Sequence, residues 1–362
     1  MAARPALLEL RDPSASDLDR LVAIRGHALV TIMLDTPCDA PLGIGNLARF
    51  EQLVATAAVR VRQEPCGDAE LGWTGPELWS QLRGQVMGHG LVVVLGAGVA
   101  QAFRLPFAPG DRVVVDPTFA TRELAQTVWE ERELLLLVLS TFEARLFAAR
   151  RQRVEAVESV SWPLRNDLRP ERAERGRRDR PVRPSSAGLD AFLRRVDAEL
   201  HEVMAGRPVV LLAAEPVASR MVKLSRLTFL GTVAGNRQHA SLRELSELVE
   251  PLRSAHLSGL RQLGLQRLDA AIGGWQGAVG VAEVWDAASA GRVETLLVDP
   301  NFRWAGTVDG AELHSASDPG TPGVIDDVVD DLIESVSLRG GSVCFVEPGD
   351  LGVAGVRAVL RH

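Results

Sequence analysis

The chain has 362 residues, 46% hydrophobic and 24% charged, with a formal net charge of -7. That length suits two or three cores rather than one, the composition is that of folded domains, and the acidic balance excludes broad nucleic-acid affinity, leaving only contact through a local basic patch. The three cysteines, Cys38, Cys66 and Cys344, form no CxxC pair or disulfide framework, and no apolar run has bilayer-spanning length, so a reducing, cytoplasmic setting is expected.

Residues 1–130 read as a small mixed α/β domain. A short helix is predicted at 17–24, a strand at 28–36, and a helix over 46–62 with Leu47, Phe50, Leu53, Val54, Ala57, Ala58 and Val61 on one face. A second helix over 76–87 leads into three adjacent strands, "GLVVVLGAG", "AQAFRLPF" and "DRVVVDPTF". Gly96-Ala97-Gly98 matches the start of a dinucleotide fingerprint, but Gln101 stands at the third glycine position and strand pattern resumes where a helix is required. A hairpin turn is predicted instead. Asp35 and Asp39 flank Pro37 at a strand end, which is turn chemistry rather than an acidic catalytic pair.

Residues 131–238 form the next block. "LLLLVLS" (134–140), "ARLFAAR" (144–150) and "VEAVESVSW" (154–162) are predicted strands. Leu189, Phe192, Leu193, Val196, Leu200 and Val203 then recur at helical spacing behind Ser185 or Ser186 as N-cap, and "RPVVLLAAE" (207–215) is a further buried strand. A short helix and a strand near 230–233 close the block at Gly235-Asn236. Between Trp162 and the long helix lie eight arginines, Arg165, Arg169, Arg172, Arg175, Arg177, Arg178, Arg180 and Arg183, against Asp167, Glu171, Glu174 and Asp179, a local net charge near +4. This stretch has almost no apolar side chain to offset the entropy of ordering it, so it is expected to be an exposed cationic projection, and arginine is the side chain that matches phosphate. Lys223 is the only lysine, so arginine enrichment is general to the chain.

Residues 239–362 begin with helical sequence. Leu242, Leu245, Leu248, Val249 and Leu252 line one face as far as the region of Pro251, and Leu257, Leu260, Leu263 and Leu268 carry the pattern to Gly273-Gly274. "VAEVWDAASAGRVETLLV" is a helix, a stop at Gly291 and a strand; residues 299–323, rich in Gly, Asp, Pro and Ser, are expected to be exposed connection. In the next helix Ile325, Val328, Val329, Leu332, Ile333 and Val336 form the apolar face. Asp326, Asp327, Asp330, Asp331 and Glu334 form the other, expected to be solvated and suited to the helix dipole. "SVCFV", a glycine-rich loop at 349–355 and "VRAVLRH" complete an α-β-α sandwich.

Enzyme signatures are missing: there is no P-loop, GxSxG elbow, HExxH or Cys/His cluster, and the seven histidines are scattered. No catalytic residue, cofactor or metal is expected. Gly235-Asn236-Arg237-Gln238 has a spacing that can orient a hydrolytic water, but following a strand it reads as a turn.

"ERELLLLVLSTFEARLFAARRQRVEAVESV", "LDAFLRRVDAEL", "GRPVVLLAAEP", "LGTVAGNRQHASLRELSEL", "AASAGRVETLLV" and "DVVDDLIESVSLRGGSVCFVEPGDLGVAGVRAVLRH" cover most of 131–362. In this order they resemble the archaeal-eukaryotic class I release factor and Pelota superfamily, specifically the bacterial archaeo-eukaryotic release factor family; "GVAGVRAVLRH" is the most specific piece. The resemblance implies a multidomain α/β protein with an N-terminal mixed α/β domain (1–130), a ribonuclease H-like central domain (131–238) and an L7Ae-like C-terminal domain (239–362). It also implies a ribosome- or tRNA-associated factor whose partners are the ribosome and its rRNA or tRNA, with neither DNA nor a membrane, and it makes the eight arginines an RNA contact. Release factors carry Gly-Gly-Gln in the loop that here spans 162–188, and that segment contains no glutamine and no adjacent glycines. The resemblance therefore implies rescue or hibernation by binding rather than peptidyl-tRNA hydrolysis. A hydrolase with a non-standard carboxylate or glutamine site, and a protein-interaction module, are the other readings the residues leave open.

Overall fold

The computed structural model describes residues 8–38, 40–64, 73–151, 153–159, 161–166, 186–310 and 312–361. The chain divides into two units, Met1–Glu130 with Arg261–His362, and Glu131–Leu260.

The first unit opens with β1 (Leu10–Arg11), α1 (Ala15–Val22), β2 (Leu29–Asp35), α2 (Ile44–Gln63), α3 (Gly75–Leu82), β3 (Gly90–Gly96), β4 (Val99–Leu105), β5 (Arg112–Asp116) and α4 (Arg122–Glu130). The strands lie in the order β1-β4-β3-β2-β5, antiparallel except for the parallel β1 and β4. Val30, Ile32 and Leu34 of β2 pack with Phe50, Val54 and Leu78 of α2 and α3, while Leu29 and Met33 pack with Leu21, Phe119 and Leu124 on the α1 and α4 side. Helices on both faces explain why these strands read as unbroken apolar runs instead of alternating. The β3–β4 turn holds Ala97 at φ 49° and Gly98 at φ 77° between paired Gly96 and Val99, the two positive dihedrals of a two-residue hairpin turn. No nucleotide loop is formed there.

The second unit contains β6 (Leu134–Leu139), β7 (Glu143–Arg150), β8 (Arg153–Ala156), β9 (Leu164–Arg165), α5 (Ser186–Met204), β10 (Val209–Ala213), α6 (Val217–Leu224), β11 (Gly231–Ala234) and the first part of α7 (Leu242–Gly273). Its order is β11-β10-β6-β7-β8, with β9 pairing β7. Leu135, Leu137 and Leu139 face α5 and α6; Leu134, Leu136 and Val138 face Leu245 and Val249 of α7. The strand expected over 154–162 ends at Ala156. Ser241 and Glu244 begin α7 with a capping box, the Glu244 carboxylate accepting from the Ser241 N–H at 2.7 Å and the Ser241 hydroxyl accepting from the Glu244 N–H at 3.2 Å. Pro251 sits within α7 without breaking it.

The rest of the first unit is β12 (Gly277–Val279), α8 (Val281–Ser289), β13 (Val293–Val298), β14 (Gly306–Asp309), β15 (Glu312–Ser315), α9 (Val328–Leu338), β16 (Ser342–Phe345) and β17 (Val356–Leu360). Its sheet runs β12-β17-β13-β16, with α8 and α9 packed on it and Gly264 of α7 lying against Cys344 and Leu297. The stretch expected to be plain connection holds the β14–β15 hairpin, its antiparallel register running from Gly306↔Ser315 to Asp309↔Glu312. Among the described residues no helix is long and apolar enough to cross a membrane.

Candidate functional site

Parallel pairing of β11, β10 and β6 brings their C-terminal ends together, the customary place for polar function on such a sheet. Ser140 follows β6, and Asn236, Arg237 and Gln238 follow β11. Gln238 Nε2 donates to Ser140 Oγ, its carbonyl accepts from Arg145 Nη1 at 2.9 Å, and its N–H donates to Asn236 Oδ1 at 3.2 Å. Ser140 Oγ in turn accepts from the Glu143 N–H at 3.0 Å and donates to the Glu143 carbonyl at 3.1 Å. Arg145 lies 4.8 Å over the Phe147 ring. Gln238 therefore fastens a loop to the sheet end, with its amide engaged rather than presented to a water. Beside it Asn236, Arg237, His239, Glu244 and Glu247 line an open depression of about 460 Å³.

Of the eight predicted RNA-contacting arginines, Arg165 is described. It ends β9, opposite Glu143 of β7, with its side chain 75% exposed and Nε 3.7 Å from Glu143 Oε1. Arg169, Arg172, Arg175, Arg177, Arg178, Arg180 and Arg183 lie outside the described residues. So do Asp39 and Ser185.

The first unit holds a charged cluster that the sequence reading misassigned. The acidic face of α9 is buried, with Asp327 5%, Asp330 7% and Glu334 3% exposed. Arginines and backbone donors from residues 25–122 meet it. Arg122, itself buried, donates through Nη1 to Asp327 Oδ2 at 2.7 Å and through Nη2 to the carbonyls of Asp299 and Pro300 at 2.9 and 2.8 Å. Asp330 accepts from the Thr121 and Arg122 N–H groups at 3.0 and 2.8 Å, which caps the start of α4 from a distant part of the sequence. Arg60 pairs with Asp326 at 2.8 Å, Arg25 with Glu334 at 3.6 Å, and Arg112 and Arg303 share Glu123 Oε1 at 2.5 and 2.8 Å.

Carboxylates nevertheless crowd one another here. Burial first, then Glu334 and Asp327, raises the Asp330 carboxyl well above its ordinary value. Burial and Asp331 push Glu334 to about 8, burial and Asp327 push Asp331 to about 6, and burial with Asp326 pushes Asp116 to about 8. Glu123 behaves oppositely: burial would raise it, but Arg112, Arg122 and Arg303 outweigh burial and hold it low. Because Asp327, Asp330 and Glu123 are committed to guanidinium and backbone partners, their convergence is that of a clasp rather than a hydrolytic pair. Nothing in the local sequence distinguishes it from a solvated stripe.

Residues 134–292 match the model of the bacterial archaeo-eukaryotic release factor family 3. Over this stretch, less than half of the chain, the sequence is similar to that family. The family segment contains the central sheet, α5, the Ser140–Gln238 corner and the whole of α7. No curated protein sequence matches the chain. Among solved structures, ribosome-bound archaeal Pelota is similar at 16% identity over 97% of this chain and 95% of that one, with a TM-score of 0.45. Archaeoglobus fulgidus Pelota is similar at 14% identity over 97% and 93%, TM-score 0.34, and an archaeal translation termination factor at 15% identity over 96% and 97%, TM-score 0.24.

Proposed function

We propose that this protein is a cytoplasmic, ribosome-associated translation factor of the rescue or hibernation type, which acts by binding and not by hydrolysing peptidyl-tRNA. The observation that carries this reading is a release-factor-family segment at 134–292 whose 162–188 stretch has arginines where release factors carry Gly-Gly-Gln. Gln238, the one glutamine in a glycine loop of this unit, supports the non-hydrolytic reading because its amide is bound to Ser140.

The arginines from Arg165 to Arg183 are the RNA contact in this proposal. They clamp phosphates rather than read bases, since the segment has no aromatic to stack on a base and arginine pairs with phosphate whatever the sequence. Sedimentation of the protein with ribosomes through a sucrose cushion, at two salt concentrations, tests both parts. Wild-type protein should co-sediment, more weakly at higher salt. Replacing Arg175, Arg177, Arg178 and Arg180 with serine should weaken binding and flatten the slope against log salt by about 0.7 to 0.9 for each phosphate no longer clamped. Equal co-sedimentation of variant and wild type would remove the arginines as the RNA-binding element. Release of labelled peptide from programmed ribosomes, abolished by Gln238→Ala, would replace the binding reading with an enzymatic one.

A further inference from the structure

The turn between β6 and β7 holds an aromatic ring outside the core of the second unit. Phe142, Phe147, Trp162, Phe192 and Phe229 are the phenylalanines and tryptophan of that unit. Phe147, Trp162 and Phe192 are buried and Phe229 packs against the core, whereas Phe142 is 50% exposed. A single exposed apolar side chain needs no explanation by itself. The backbone that carries this one does. The Ser140 N–H donates to the Glu143 carbonyl at 2.9 Å, the Phe142 N–H donates to Ser140 Oγ at 3.1 Å, and Gln238 fastens the same hydroxyl from the loop after β11. Asn166 closes the other side, its N–H donating to the Phe142 carbonyl at 2.8 Å and its Nδ2 to the Thr141 carbonyl at 2.9 Å. The ring is thus presented to solvent on a backbone tied from both directions, so placing it against a flat partner costs little conformational entropy.

We infer that Phe142 stacks on an unpaired base of a bound RNA while Arg165 holds a phosphate of the same strand; the inference rests on the RNA-contact reading above and adds the base contact that the arginine-rich segment lacks. Arg165 stands opposite Glu143, the residue after Phe142, and its exposed guanidinium is 3.7 Å from that carboxylate, a long ion pair that a phosphate can displace. Asn166 leads in sequence straight into residues 167–185, which carry the arginines from Arg169 to Arg183. A ring face beside arginines is the combination that holds single-stranded nucleic acid, charge meeting the phosphates and the ring meeting a base whatever its identity. A base stacked within a duplex offers the ring no free face, so the ligand class is a single strand. An apolar protein surface would cover the ring, but it would also desolvate the neighbouring arginine with nothing to pair it.

Fluorescence anisotropy of a labelled oligoadenylate RNA, single-stranded and as its duplex with oligouridylate, titrated with the full chain, tests the assignment. Phe142→Ala should weaken single-strand binding about 5- to 150-fold at every salt concentration, leaving the slope against log salt and the duplex affinity unchanged. Arg165→Ser should instead flatten that slope by about 0.7. Phe142→Trp should bind at least as tightly as wild type, and Phe142→Leu, apolar but without a ring face, should fail as the alanine variant does. Each variant should keep the wild-type thermal midpoint, because the exchanged side chains are exposed. Wild-type affinity in Phe142→Ala or Phe142→Leu, an equal loss on the duplex, or no binding of the single strand by the wild-type chain would each overturn the inference. Ribosome co-sedimentation separates it from the reading it rests on: a chain that binds the single strand through Phe142 yet does not sediment with ribosomes would keep the stacking contact and remove the ribosomal role.

Discussion

Arg122 carries its charge where water is almost fully excluded, at 1% exposure, and so its partners decide whether it stabilises or disrupts the unit. It satisfies Asp327 and two carbonyls at once. Removing one member of a buried pair leaves the other uncompensated, at about 3–5 kcal/mol, more than the pair itself contributes over an apolar replacement. Arg122→Leu should therefore lower the stability of this unit by that order in urea denaturation. Asp330 sits a few ångströms away in the same cluster, yet its carboxyl is driven toward the neutral form by burial, Glu334 and Asp327. An amide keeps the oxygen that accepts from Thr121 and Arg122, so Asp330→Asn should be much milder than Arg122→Leu. Equal losses in the two variants would mean that Asp330 is held as a carboxylate and that the charge argument is wrong. Neither residue stands out in the sequence, because Arg122 opens an ordinary amphipathic helix and Asp330 sits in an ordinary acidic stripe.

The elements themselves were legible where a period in the sequence has only one physical cause. Leu29 to Leu34 sends alternate side chains to two helical layers, and Leu189 to Leu200 buries one stripe of α5, so both runs announce their elements. The acidic face of α9 shows the limit. A helix with aspartates opposite its apolar stripe looks the same whether that face meets water or guanidinia supplied about two hundred residues earlier. The Ser140–Gln238 corner was hidden for the same reason: the glycine loop was readable as a turn, but its partner lies 98 residues upstream. Hairpin β14–β15 was missed because its strands are short and polar, with little alternation to find. Glycines near the C-terminus offer an element-scale test. Gly355 has φ +61° and an added Cβ would lie 1.9 Å from the Phe302 ring, whereas Gly352 has φ +59° with nothing within 4 Å. Gly355→Ala should destabilise by backbone strain plus a clash, about 1–3 kcal/mol or more for the overpacking alone, and Gly352→Ala by strain alone. Thermal midpoints of the two variants should separate in that order; a larger loss at Gly352 would contradict the packing around Phe302.

At the scale of the whole molecule, the first unit is assembled from both ends of the sequence, and the charges that join them titrate in the physiological range. Glu334 and Asp116, both pushed to about 8, and Asp331, pushed to about 6, bind protons in the folded unit that the unfolded chain releases near pH 4. For a carboxyl raised on folding, the stabilisation is complete below its unfolded value and is lost as pH climbs through its folded value. Glu123, held low by its three arginines, acts in the opposite sense, but its window lies below pH about 4.5 and does not touch the neutral range. The thermal midpoint of the full chain should consequently fall between pH 6 and pH 8.5. Asp331→Asn should remove the part of the decline that ends near pH 6, and Glu334→Gln a part that continues from there up to about pH 8, since each amide is indifferent to the proton its parent must hold. A midpoint that stays flat or rises over this interval would show that the guanidinia of Arg25, Arg60 and Arg122 balance the carboxylates fully, and the cluster would then be a permanent set of ion pairs rather than a proton-dependent joint.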